Sequence, residues 1–137
     1  MSATQECPPR ARAWFEAASA RPLIPAAERR RGPALDRVEI RRLIPHRDPF
    51  LFVDRITCVD RDSSTIVCRY DLGRGGRLVA GHFPSRPVWP GVLQIEAIGQ
   101  AGLCLAGLLG EAGWDEAERG VALTHILGAR FVRPVTP

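Results

Sequence analysis

The chain of 137 residues contains no lysine. Its basic side is carried entirely by 19 arginines, set against 15 Asp and Glu, for a formal net charge of +4. Arginine, alanine, proline and glycine are all frequent, as GC-rich coding produces, so the surplus reads mainly as compositional drift. The arginines gather in the first part of the chain and no aromatic residues interleave with them, which argues against a nucleic-acid surface. A mildly basic surface also suits an acidic protein partner. Cysteine is scarce. Cys7, Cys58, Cys68 and Cys104 form no CxxC pair and no metal-ligand spacing. Cys58 and Cys68 fall in apolar-periodic stretches and read as buried free thiols. The N-terminus lacks an apolar leader, which together with the few cysteines places the expected location in a reducing cytoplasm. Gly73-Arg74-Gly75-Gly76 has no following Lys-Ser/Thr, so it is neither a P-loop nor a dinucleotide fingerprint.

What is present is enough for one domain: the hydrophobic content of 45% is that of an ordinary globular protein. Residues 1–34 are punctuated by Pro8, Pro9, Pro22, Pro25 and Pro33 and carry the run Arg29-Arg30-Arg31. They read as a flexible extension with one short helix over Ala11 to Ala20. The domain is expected over 35–137. Asp36 with Glu39 three residues on resembles a capping box opening a short helix that Pro45 stops. Phe50-Leu51-Phe52-Val53 reads as a short apolar strand. Ile56 to Asp60 and Ser64 to Asp71 read as a hairpin across the polar turn Asp60-Arg61-Asp62-Ser63. Val121 to Phe131 reads as one or two further strands around Gly128.

The one long apolar run is Gly91 to Gly110, GVLQIEAIGQAGLCLAGLLG. Its length matches a membrane span. Glu96, Gln94, Gln100 and five glycines speak against that, since a central carboxylate costs roughly 2.5–3.5 kcal/mol on insertion scales. The sequence predicts instead a helix buried on nearly all sides within the domain, with Pro90 at its first position.

Immediately before it stands Gly81-His82-Phe83-Pro84-Ser85-Arg86-Pro87-Val88-Trp89-Pro90, a rigid turn led by a histidine. His82 is the natural base at neutral pH. Burial of Glu96 favours the protonated carboxyl and the helix N-terminus opposes it, so the sequence leaves the balance open. The N–H groups of Gly91 and Val92 at the helix start are able to bind a carbonyl that gains negative charge. Base, acid and oxyanion site suit abstraction of a proton α to a thioester with loss of a β-hydroxyl. Taken singly, each has a plainer reading: a histidine among prolines is usually a loop or core residue, and a buried glutamate is often satisfied by an arginine. His46 reads as loop packing beside Pro45, and His125 as a strand residue.

Three ordered blocks carry a resemblance to a known family: Leu43 to Arg55 (LIPHRDPFLFVDR), Gly81-His82-Phe83-Pro84 through Pro90 to Ala97 with Gln100, and Ala129 to Val135 (ARFVRPV). Over about residues 36–137 the chain resembles the beta-hydroxyacyl-acyl carrier protein dehydratases of the FabZ type. The resemblance implies an α+β hot-dog fold, a long central helix wrapped by an antiparallel sheet, assembled as a dimer or trimer of dimers. It implies His82 and Glu96 as catalytic residues contributed by different subunits, with glutamate in the acid position favouring simple dehydration over isomerisation. It places the carbonyl-binding amide at Gly91 and the substrate contacts at Gly91, Val92, Phe83 and Trp89. No cofactor is implied. The substrate is an acyl chain on the phosphopantetheine arm of acyl carrier protein, with Arg130 and Arg133 as docking residues.

Departures from the family pattern are Asp48 in place of an aromatic, Trp89 in place of a smaller apolar residue where it would narrow the acyl tunnel, and no aromatic gate around Val121 to Leu127. The family continues after the Arg-Pro-Val block with about three more strands. Those C-terminal strands are therefore expected to be missing here, leaving a helix face and a sheet edge exposed. The alternatives to a fatty-acid or polyketide dehydratase are a half-site subunit paired with another hot-dog chain, heterodimeric rather than homodimeric, and a hot-dog acyl thioesterase.

Overall fold

The structure, a computed structural model, describes residues 34–110 and 123–137. The expected helix over Ala11 to Ala20 lies outside the described residues. In chain order the elements are α1 (Arg37–Leu43), β1 (Arg55–Asp60), β2 (Thr65–Arg69), a 3-10 turn (Leu72–Gly75), α2 (Gly76–Val79) and α3 (Gly91–Leu109).

α1 starts where the capping box predicts. The Asp36 carboxylate accepts from Val38 N–H at 2.8 Å and Glu39 N–H at 3.1 Å, and the Glu39 carboxylate accepts from Asp36 N–H at 2.9 Å. Such a cap contributes about 1 kcal/mol. Ile40 is the buried residue of α1 and packs with Ile44, Leu51, Val53, Ile56 and Cys104 in the larger core cluster.

β1 and β2 form the expected antiparallel hairpin, pairing Arg55 with Arg69 and Asp60 with Thr65, with an irregularity between Ile56 and Cys58. In the turn Asp60 accepts from the Ser63 hydroxyl at 2.5 Å, then from the N–H groups of Ser63 and Asp62. Those donors, the Ser63 hydroxyl first, hold its carboxyl below the usual carboxylate range.

Three expectations about elements change. Phe50-Leu51-Phe52-Val53 is buried over Leu51 to Val53 yet lies in no strand. Its polar backbone is met by a side chain instead: Gln100 accepts from Phe52 N–H at 2.7 Å and donates to Phe50 C=O at 2.9 Å. Residues 123–137 form no strand either, and Leu123, Ile126, Leu127, Phe131 and Val132 are exposed. A strand needs a ladder partner, and among the described residues this segment is tied down by one backbone bond, Trp89 N–H to Val135 C=O at 2.7 Å.

The third change concerns α3. Its helix begins at Gly91 with Pro90 as the N-cap, one residue later than expected, and ends at Gly110 with φ 77°. That left-handed cap explains the glycine. α3 is long and apolar enough to cross a membrane by length and composition. It is not buried on nearly all sides: Gln100 and Cys104 are its buried residues, while Val92 and Ile98 are 70% and 72% exposed. α1 and β2 cover one face of it, and Leu93, Ala97, Gln100, Cys104 and Leu108 recur at helical spacing along that face.

A second cluster joins the helix start to the hairpin. Phe52, Val79 and Trp89 are its buried residues, and Phe52 meets Tyr70 and Trp89 edge-on at centroid distances of 5.5 and 6.0 Å. Trp89 is thus a core aromatic, 3% exposed. Burial of each such ring stabilises by roughly 1.5–3 kcal/mol.

Candidate active site

His82 sits at the end of the turn that follows α2. Its N–H donates to Val79 C=O at 2.8 Å, and its C=O accepts from Val88 N–H at 2.9 Å. Its ring Nδ1 lies 3.0 Å from Val88 C=O. A carbonyl only accepts, so Nδ1 carries the hydrogen and Nε2 is left with its lone pair. The backbone of the turn therefore selects the tautomer a general base needs. Phe83 stacks on the ring at 4.6 Å and is itself 56% exposed.

His82 borders a groove of about 320 Å³ shared with Trp89, Gly91, Gln94, Phe131 and Arg133. The start of α3 forms one wall. Pro90 supplies no side-chain cap there, and the first N–H groups of a helix have no partner within it. Phe131 covers Gly91: a Cβ added at that glycine would stand 2.8 Å from the Phe131 ring. An aromatic does lie against the site, although it belongs to the last block rather than to Val121–Leu127. Among the site residues expected from sequence, Gly91, Trp89 and Arg133 share the His82 groove, whereas Val92 and Arg130 are exposed outside it. His125 is exposed in coil rather than held in a strand.

Glu96 lies on the second turn of α3, beside the packed face. No hydrogen bond or ion pair among the described residues joins it to His82. Its neighbours are Gln100, which donates to Glu96 Oε1 at 2.8 Å, and His46, whose Nε2 is 3.4 Å from the same oxygen. His46 was expected to be loop packing, and this contact corrects that reading. The signal available in sequence was weak: His46 precedes Glu96 by fifty residues, and only the fold closes that distance. No arginine pairs with Glu96 among the described residues. Nor do the described residues hold a group of three or more His, Cys, Asp or Glu placed to bind a metal ion.

Comparison with known proteins bears on this geometry. The model of the family described as FabA-like domain matches residues 44–137. This chain belongs to the FabA-like family. It is similar to the 3-hydroxyacyl-[acyl-carrier-protein] dehydratase FabZ of Anaeromyxobacter sp. (strain Fw109-5), 40% identical over 112 residues that cover 82% of this chain and 70% of the relative. The protein of that name from Chlamydia trachomatis serovar L2 is 38% identical over 106 residues, covering 77% and 67%. That of Paracidovorax citrulli is 42% identical over 104 residues, covering 75% and 69%. As a FabA-like protein the chain has the hot-dog fold, and the helix and hairpin are its described α+β elements. The FabA-like match spans both His82 and Glu96.

Proposed function

We propose that the chain is a dehydratase that converts 3-hydroxyacyl-acyl carrier protein to the trans-2-enoyl form in fatty-acid or polyketide synthesis. The observation that carries this reading is the contact of His82 Nδ1 with Val88 C=O, which leaves Nε2 as the base of a histidine that lines the groove. In the proposed step His82 Nε2 takes the proton α to the thioester. The C–H electron pair becomes the new double bond, the β C–O bond breaks, and the Glu96 proton completes the departing water. The thioester carbonyl gains negative charge as the proton leaves, and the N–H groups at the start of α3 would stabilise it.

No hydrogen bond or ion pair joins His82 and Glu96 among the described residues, and one face of α3 is open. Both support a dimer in which each site draws its base from one subunit and its acid from the other. The substrate would arrive on the phosphopantetheine arm of an acidic carrier protein. Arg133, which lines the groove, would be the docking residue nearer the site, with Arg130 as the second. No cofactor enters this step, and α3 serves as a core helix fastened by Gln100 to the backbone of Phe50 and Phe52.

The test is turnover of a 3-hydroxyacyl-carrier thioester, followed by enoyl formation and by release of free thiol. Enoyl product without thiol is expected. His82→Ala and Glu96→Gln should each lower kcat by about 10²–10⁴-fold, the range for loss of a general acid or base. Free thiol as the main product would make the protein a thioesterase, and undiminished turnover in either variant would remove that residue from the mechanism.

A further inference from the structure

Two grooves lie on either side of one aromatic cluster. The first, about 320 Å³, is the one that His82 shares with Gly91 and Trp89. The second, about 460 Å³, lies between β2 and α3 and is lined by Phe52, Ile66, Cys68, Tyr70, Ala97 and Ala101 among others. Trp89 stands between them. It lines the first groove, and its ring packs on two residues that line the second, with centroids 6.0 Å from Phe52 and 5.4 Å from Tyr70. Leu93 and Ala97 of α3 pack against the same cluster.

The indole is held where it is. Gly75 is buried beneath it, and a Cβ at that glycine would overlap the far edge of the ring. Trp89 N–H donates to Val135 C=O at 2.7 Å, and the following residue, Pro90, is the N-cap of α3. The backbone that carries the ring is therefore tied on both sides. Swinging the ring aside would leave a void in a close-packed cluster where it is 3% exposed.

We infer that Trp89 sets the acyl length this protein accepts: the tail of the substrate runs from His82 along the first groove and ends against the indole, which closes the apolar groove between β2 and α3 to it. A smaller side chain at position 89 joins the two grooves into one. The substrate is taken from the dehydratase reading, on which this role rests, whereas the stop is a matter of shape and shows in binding as well as in turnover.

Saturated acyl-pantetheine thioesters carry no β-hydroxyl to lose and so measure the stop apart from the chemistry. Each methylene buried gains about 4-fold in affinity. With the full chain, affinity should climb at that rate over the short acyl chains and then level off, and in Trp89→Leu it should go on climbing. Affinity that rises to the longest chains in the unmutated protein, or that does not depend on length at all, would overturn the stop, whether or not enoyl product forms. A plateau that Trp89→Leu removes, in a protein that forms no enoyl product, would support the stop and reject the dehydratase reading. In an active protein, kcat/KM for the 3-hydroxydodecanoyl-carrier thioester relative to the 3-hydroxybutyryl one should rise on the order of 10-fold in Trp89→Leu. Adding Ala101→Phe, which fills the second groove, should cancel that rise. An unchanged ratio, or a rise that survives Ala101→Phe, would overturn the inference. Should Trp89→Leu fail to fold, Trp89→Phe, which keeps an aromatic in the cluster, should move the plateau to longer chains, and an unmoved plateau would overturn the role of Trp89.

Discussion

Arg37 gathers the acidic side chains beneath the first block. Its guanidinium pairs with both Asp48 and Asp54, and Arg41 joins Asp48 at 2.5 Å. Asp54 in turn accepts from Asp71 N–H at 2.7 Å and meets Arg74 at 3.3 Å. The aspartate that stands where the family commonly has an aromatic is therefore part of an ion-pair network. The two acids are not equivalent. The side chains of Arg37 and Asp54 are each 16% exposed, that of Asp48 57%. Neutralising Asp54 removes the negative charge from a largely buried pair with Arg37 and weakens the acceptor of Asp71 N–H, whereas neutralising Asp48 breaks a solvent-screened pair. Asp54→Asn should cost about 2–3 kcal/mol and Asp48→Asn less than about 1 kcal/mol, measured by urea unfolding. Equal losses would show that burial does not govern this network.

Among the elements, the start of α3 is where packing and chemistry meet. Gly91 is required there by close approach, because Phe131 rests on its Cα. Phe131 is 52% exposed, so the ring has room to yield. Gly91→Ala should destabilise by about 1–2 kcal/mol, at the low end of overpacking costs, and that loss should largely vanish in a Phe131→Ala background. A double-mutant cycle with near-zero coupling would mean that the ring does not sit on the helix start. The hairpin and α1 were legible as elements because alternation, a polar turn and a capping box each act over a few residues. Phe50 to Val53 and the described part of Val121 to Phe131 read as strands in sequence because apolar β-prone residues state a preference for extension, and pairing is decided by what lies alongside. For Phe52 that neighbour is Gln100, forty-eight residues away.

At the scale of the molecule, α3, β2 and the thiols share one core. Burial pushes the Cys68 thiol up to about 12, with Cys104 adding to it, and burial pushes Cys104 up to about 11. Both stand above the ordinary value of 9.0, so above pH 9 the unfolded chain releases protons that the folded chain retains. Their contribution to stability is complete below pH 9 and is lost as the pH rises toward 11–12. Thermal melts should fall across that window, and Cys68→Ala with Cys104→Ala should flatten the fall. An unchanged slope in the double variant would assign the alkaline loss to other groups.

The sequence by itself determined the family, the hairpin, the span of α3 to within a residue and the identity of the base and acid to be tested. These are properties of short-range pattern and of ordered motifs, which survive without coordinates. Tertiary structure alone decided that α3 is covered along one stripe and that Glu96 is met by Gln100 and His46. A helix apolar all round carries no sign of which face will be packed. Nor does spacing along the chain reveal a contact that only folding closes.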